Sequence, residues 1–169
     1  METTLKLYSL RYTDVKAYLY ATLFIAGNLV APQIAHLAPQ GGVTWLPIYL
    51  FTLIGAYKYG WRVGLLTALL SPMLNHLLFG MPALAVLPAI LLKSTLLALI
   101  AGFVAQRFKS VSLLLMAVVV LSYQVVGTLG EWAIVGSLRL ALQDFRIGIP
   151  GMLLQIVGGY SFVKYILRR

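Results

Sequence analysis

The chain has 169 residues, 61% of them hydrophobic and 10% charged, with a mean hydropathy of +0.92 and a formal net charge of +9. A soluble domain carries about 25% charged residues, so there is too little polar surface here to cover a globule in water. The positive charge does not imply nucleic acid, because the basic residues sit in short connections between apolar runs, as topology signals and lipid-headgroup contacts do. No cysteine is present, which removes disulfides, thiolate metal sites and cysteine nucleophiles.

The N-terminal METTLKLYSLRYTDVK is polar and leads into no short apolar core with a small-residue cleavage site. No cleavable signal peptide is expected, and insertion falls to the first span. That span is read at 17–37 and ends at the turn-like PQGG of 39–42. The second, 45–57, is shorter than the roughly 20 residues a crossing helix needs and is the weakest of the set. The third is 61–79, closed by Gly80 and Pro82. The fourth is 83–108, ending in Arg107 and Lys109. The fifth is 111–135, with Gly127 and Gly130 as a candidate break. The sixth is 147–167, with Pro150 suited to a first helical turn. The runs are solidly apolar and do not alternate, which favours helices over a barrel.

Loop charge checks the count. With the N-terminus inside, the inner segments hold Lys6, Arg11, Lys16, Lys58, Arg62, Arg107, Lys109, Lys164, Arg168 and Arg169, and the outer segments only Arg139 and Arg146. This bias predicts an even number of spans with both termini cytoplasmic. Omitting the second span would put Arg107 and Lys109 outside. The expected fold is all-α: a single six-span polytopic membrane domain over 1–169.

Polar side chains inside a bilayer are costly and mark candidate sites. Lys93 falls near the midplane of the fourth span, Gln124 mid-fifth and Gln155 as deep in the sixth. Asn28 lies mid-first. Asn75 and His76 lie near the outer end of the third, and Glu131 and Trp132 near that of the fifth. The non-basic polar groups thus favour the outer half, while the inner ends carry solvated Lys and Arg. Lys93 needs a partner, either Glu131 or an anionic group of a ligand, which favours an anionic or carboxylate-bearing ligand. Trp45, Tyr49, Tyr123, Trp132 and Tyr160 are suited to stacking on a planar ligand or to an interfacial belt. The PQGGVTW turn, 39–45, reads as a lid or as a plain turn. The candidate binding set is therefore Trp45, Asn75, His76, Lys93, Gln124, Glu131, Trp132 and Gln155, with interhelical hydrogen bonding as the alternative role of each amide.

Catalytic signals are thin. HExxH, GxSxG and Walker motifs are absent, and Glu131 and Asp144 are the only acids beyond the N-terminal segment. His36 and His76 make a poor metal site without cysteines or clustered carboxylates. No catalytic residues, metal or cofactor are expected in this chain. Small residues four apart, such as Ala17/Ala21 and Ala101/Ala105, allow close helix approach. The first pair lies where a membrane partner would dock.

The stretch LPIYLFTLIGAYKYGWRVGLLTALLSP, 46–72, with Tyr59, Gly60 and Gly64 as a Tyr-Gly-x-x-x-Gly turn, resembles the second and third helices of the S components of energy-coupling factor (ECF) transporters. LPAILLKSTLLALIAGFVAQRF, 87–108, is similar to their fourth helix, and Ala17/Ala21 to their first-helix Ala-x-x-x-Ala motif. The resemblance implies a six-helix S-component bundle in the cytoplasmic (inner) membrane of a prokaryote. It also implies capture of one vitamin-like micronutrient from outside by the first outer loop and helices four to six. Uptake would be driven by toppling on a transmembrane coupling subunit, met through Ala17 and Ala21, and by two ATPases. Cobalt and nickel members carry a histidine directly after the initiator Met, where this chain has Glu2. The competing readings are a stand-alone channel or facilitator, which needs a polar path to the inner face, and a small integral-membrane enzyme, which needs an acid, base or metal cluster.

Overall fold

A computed structural model describes residues 6–166; the terminal Arg168 and Arg169, the end of the sixth expected span and Glu2 lie outside them. The elements in chain order are α1 (Val15–Ala35), α2 (Gly41–Trp45), a 3-10 turn (Pro47–Tyr49), α3 (Leu50–Tyr59), α4 (Trp61–Phe79), α5 (Leu87–Phe108), α6 (Leu113–Val135), α7 (Leu138–Ala141), α8 (Gln143–Arg146), α9 (Ile149–Ser161) and a π-helical turn (Phe162–Ile166). Among the described residues there is no strand, so the fold is all-helical.

Four helices, α1, α4, α5 and α6, are long and apolar enough to cross a membrane. Their outward faces carry large exposed apolar side chains, among them Leu19 and Leu23 on α1, Phe103 on α5 and Leu114 on α6. In water such a sheath would be unstable; in lipid it is the expected surface. The chain is thus suited to a membrane.

The weak second run takes a different form from a full-length span. Leu46 (φ 46°) turns the chain into the 3-10 turn and the ten-residue α3, which at ~1.5 Å per residue is about 15 Å long. Residues Thr52–Gly60 are buried without interruption. A helix enclosed by protein needs no lipid-matched length, and its irregular ends are tolerated because neighbouring protein satisfies them. At its far end the carbonyls of Lys58 and Tyr59 accept from the amides of Tyr8 and Leu10 at 2.8 and 3.1 Å. The segment before α1 therefore caps the last turn of α3.

Gly60 joins α3 to α4 at φ 104°, ψ 159°, a region essentially reserved for glycine. Four residues on, a Cβ at Gly64 would lie 2.4 Å from that of Ala56 and 3.1 Å from that of Ala98, so α3, α4 and α5 meet there at backbone distance. Gly80 and Gly136, with φ of 68° and 71°, end α4 and α6 in left-handed caps.

α5 starts at Leu87 and not at 83, so Lys93 lies about 9 Å into the helix and about 7 Å short of its middle. α6 runs unbroken through Gly127 and Gly130. Lys58, read as a solvated loop residue, is fully buried: its Nζ donates to the Lys6 carbonyl at 2.7 Å and lies 5.5 Å from the Tyr8 ring. Ala17 and Ala21, expected to face a partner, are 0% and 3% exposed and belong to this chain's own core. The free face of α1 is formed instead by bulky residues such as Tyr18, Leu19 and Leu23.

Candidate functional site

The site is built from a polar ladder on the buried face of α4. Thr67 Oγ1 donates to the Val63 carbonyl at 3.0 Å, Ser71 Oγ to the Thr67 carbonyl at 2.6 Å, and Asn75 Nδ2 to the Ser71 carbonyl at 3.2 Å. Residues four apart share a helix face, so the ladder climbs one side of α4. It is joined to α1 through Asn28, whose Nδ2 donates to Thr52 Oγ1 at 3.0 Å and Ser71 Oγ at 3.2 Å.

Pro32 completes this junction. Lying four residues after Asn28 inside α1, it has no N–H to offer the Asn28 carbonyl. Asn75 Nδ2 takes that place at 2.8 Å. Both acceptors of Asn75 Nδ2 are carbonyls, which fixes the orientation of its amide. Asn75 Oδ1 is left without a partner on a side chain 1% exposed.

Above Asn75 opens a cavity of about 270 Å³. Its walls come from the ends of α1 and α4, from α2 and the 3-10 turn, from the start of α5, the end of α6, and α8. Pro32, Leu46, Ile48, Met81, Val86 and Ile90 make most of it apolar, as in small-molecule sites. His76, half-buried, donates from Nδ1 to the Pro82 carbonyl at 2.8 Å, holding the 80–86 connection that supplies Met81, Pro82 and Ala83 to the wall.

Lys93 reaches this cavity by crossing α6 at Gly127. A Cβ there would lie 2.6 Å from Lys93 Cγ, so only a glycine leaves the stem its path without displacement. The ammonium lies 2.5 Å from Glu131 Oε2, one turn beyond Gly127, and donates to Asp144 Oδ2 at 2.7 Å. Lys93 is 2% exposed and the two carboxylates 16% and 15%. The Asp144 contact has hydrogen-bond geometry, whereas Glu131 approaches as an off-axis ion pair. α8 is thereby tied across the top of the bundle to α5.

Of the residues expected from sequence, Asn75, Lys93 and Glu131 line the cavity together. Gln124 and Gln155 are buried but lie off it, Gln124 about 10 Å before Glu131 along α6. Gln155 Oε1 accepts from Tyr123 Oη at 2.8 Å, and the Tyr123 ring lies 5.6 Å from that of the cavity residue Tyr49. Trp45 and Trp132 are 43% and 46% exposed and do not line it. The glycines of the 39–45 turn are packed, not free: a Cβ on Gly41 would lie 1.8 Å from the Ala35 carbonyl oxygen, and one on Gly42 2.6 Å from the His36 ring.

The family models, the curated proteins and the solved structures contain no match to this chain. The site is therefore read from its own residues.

Asp144 is the main residue not selected from sequence. Its signal was electrostatic: one lysine within a span, and only two acids outside the N-terminal segment to compensate it. Gln33, His36 and Gln143 also line the cavity. Among the described residues no three His, Cys, Asp or Glu side chains converge as a metal site.

The opposite end of the molecule is built differently. Tyr57 Oη donates to the Ser110 carbonyl at 2.7 Å, and Leu53, Ile54, Tyr57, Leu97, Ala101 and Met116 pack below the cavity without exposure. Tyr20 and Tyr59 stack with centroids 3.9 Å apart near the start of α1.

Proposed function

We propose that this protein is the substrate-binding S component of an ECF-type importer, taking a vitamin-like micronutrient into the cavity around Lys93 and Asn75. The observation that carries this reading is the closed-bottomed cavity: polar and apolar groups converge at one end, above a packed core and a basic end. A capture subunit needs that asymmetry, whereas a channel needs a continuous polar path. The proposal includes six crossings, with α3 and its 3-10 turn as the second, and α9 with its π turn as the sixth. In support, Tyr49 lines the cavity while Gly60 lies among Lys6, Gln106 and Lys109 at the other end. The 3-10 turn and α3 thus link the cavity to the end that carries Lys6 and Lys109, as a second crossing requires.

With the basic end cytoplasmic, the cavity faces outward in a prokaryotic cytoplasmic membrane. Energy for uptake comes from a transmembrane coupling subunit and two ATPases. Ala17 and Ala21 take no surface part in that docking, since the chain covers them itself.

Native mass spectrometry of the protein purified from its own host tests the reading. One bound small molecule per chain is expected, lost or weakened in Glu131→Gln while the fold is retained. A chain that never carries a small molecule, yet conducts solutes in liposomes without ATPases, contradicts it.

A further inference from the structure

Lys93 alone favours an anionic ligand. The arrival of Asp144 reverses that expectation, because one ammonium held between two carboxylates leaves a net charge of −1. Among the described residues, no other Lys, Arg, Asp or Glu lines the cavity. An uncompensated negative charge in a mostly apolar, membrane-embedded cavity is unfavourable. An occupant bearing one positive charge neutralises it.

A second observation, independent of charge, points the same way. Asn75 spends its amide donor on the Asn28 and Ser71 carbonyls, and its unused capacity is the Oδ1 acceptor. Lys93, the one Lys or Arg lining the cavity among the described residues, is engaged by Glu131 and Asp144. The buried cavity atoms left without a hydrogen-bond partner, Asn75 Oδ1 and Glu131 Oε2, are both acceptors, and their complement is a ligand that presents N–H groups. Tyr49 adds an aromatic wall, a surface that cations favour. Bare metal ions fit poorly, since Lys93 already bridges the two carboxylates and, among the described residues, no third acidic or imidazole ligand converges with them.

We infer that the captured molecule is a small organic cation, carrying a protonated nitrogen that seats against Glu131 and Asp144 and presents N–H donors toward Asn75. This rests on the reading of the cavity as the capture site. Binding competes for the carboxylates with Lys93, so the ligand loosens the Lys93–Asp144 tie as it enters. The tie then distinguishes empty from loaded protein.

Three probes of one frame and different charge test the inference: benzamidinium, benzamide and benzoate, titrated calorimetrically into the full chain in nanodiscs at neutral pH. Benzamidinium is expected to bind about tenfold more tightly than benzamide, with benzoate weakest. Asp144→Asn and, separately, Glu131→Gln are expected to reduce the benzamidinium preference about tenfold; either variant suffices if the other does not fold. A preference for benzoate, or equal affinity for all three, overturns the cation assignment while leaving the capture site standing. Saturable binding of none of them overturns the capture site itself, and the inference with it.

Discussion

Asn75 Nδ2 donates to the Asn28 carbonyl at 2.8 Å, and that carbonyl is free because Pro32 has no N–H to give it. A proline in α1 and an asparagine in α4 thus form one feature: a gap in one helix filled by the side chain of another, at the floor of the cavity. In lipid a backbone carbonyl left without a donor is costly, and such re-satisfaction by a neighbouring helix is what lets a span hold a proline.

Asn75→Ala is expected to destabilise the protein by about 1–3 kcal/mol, the cost of a buried acceptor left unpaired. The double variant Pro32→Ala/Asn75→Ala, in which α1 regains its own hydrogen bond, is expected to recover part of the loss. Chemical unfolding in detergent micelles measures both. Equal loss in the single and double variants would show that the Asn28 carbonyl is not the relevant partner.

Lys93→Met leaves Glu131 and Asp144 facing each other without their cation. Removing one member of a buried ion pair costs about 3–5 kcal/mol. Lys93→Met combined with Glu131→Gln and Asp144→Asn is expected to be closer to the parent in thermal midpoint than Lys93→Met alone. If the combined variant is the least stable of the series, the three groups do not act as one electrostatic unit.

The Lys93–Asp144 contact ties α8 to α5. In Asp144→Asn, hydrogen exchange at residues 140–148 is expected to rise, while the amides of α4 keep their protection. Unchanged exchange over the α8 segment would mean that packing, and not the ion pair, holds it down.

Ala17→Leu and Ala21→Leu place extra methylenes in a filled interior, where overpacking costs about 1–3 kcal/mol. Both are expected to lower the thermal midpoint of the isolated chain. Wild-type stability combined with lost uptake would instead return the pair to a docking role.

Much of the fold could be read from the sequence because its signals are local. Gly80 and Gly136 mark helix ends by their left-handed caps, and α4 and α6 end where the apolar runs do. Long apolar runs give the four membrane-length helices directly. α3 departs from the length rule because it is enclosed by protein, a tertiary condition no single segment reveals. Lys58 misleads in the same way: a basic residue at a helix end reads as solvated until the segment carrying Lys6 and Tyr8 folds over it.

The site was legible where a polar residue is rare for its surroundings, as at Lys93, Glu131 and Asn75. Thr67 and Ser71 gave no signal, since single hydroxyls are common in apolar helices and only their register with Asn75 on one face of α4 makes the ladder. Asp144 was hidden in a connection between Arg139 and Arg146, where an acid reads as solvated. Its inward turn follows from the folding of α7 and α8 across the bundle. Ala17 and Ala21 show the same limit from the other side, because a small-residue pair fits an internal helix contact as well as a partner's.

The most direct measurement is uptake into proteoliposomes of the compound that copurifies with this chain, with and without the coupling subunit and the two ATPases. Accumulation against a gradient that requires ATP and all three partner proteins is the predicted result. Equilibration of the same compound by this chain alone would contradict the assignment.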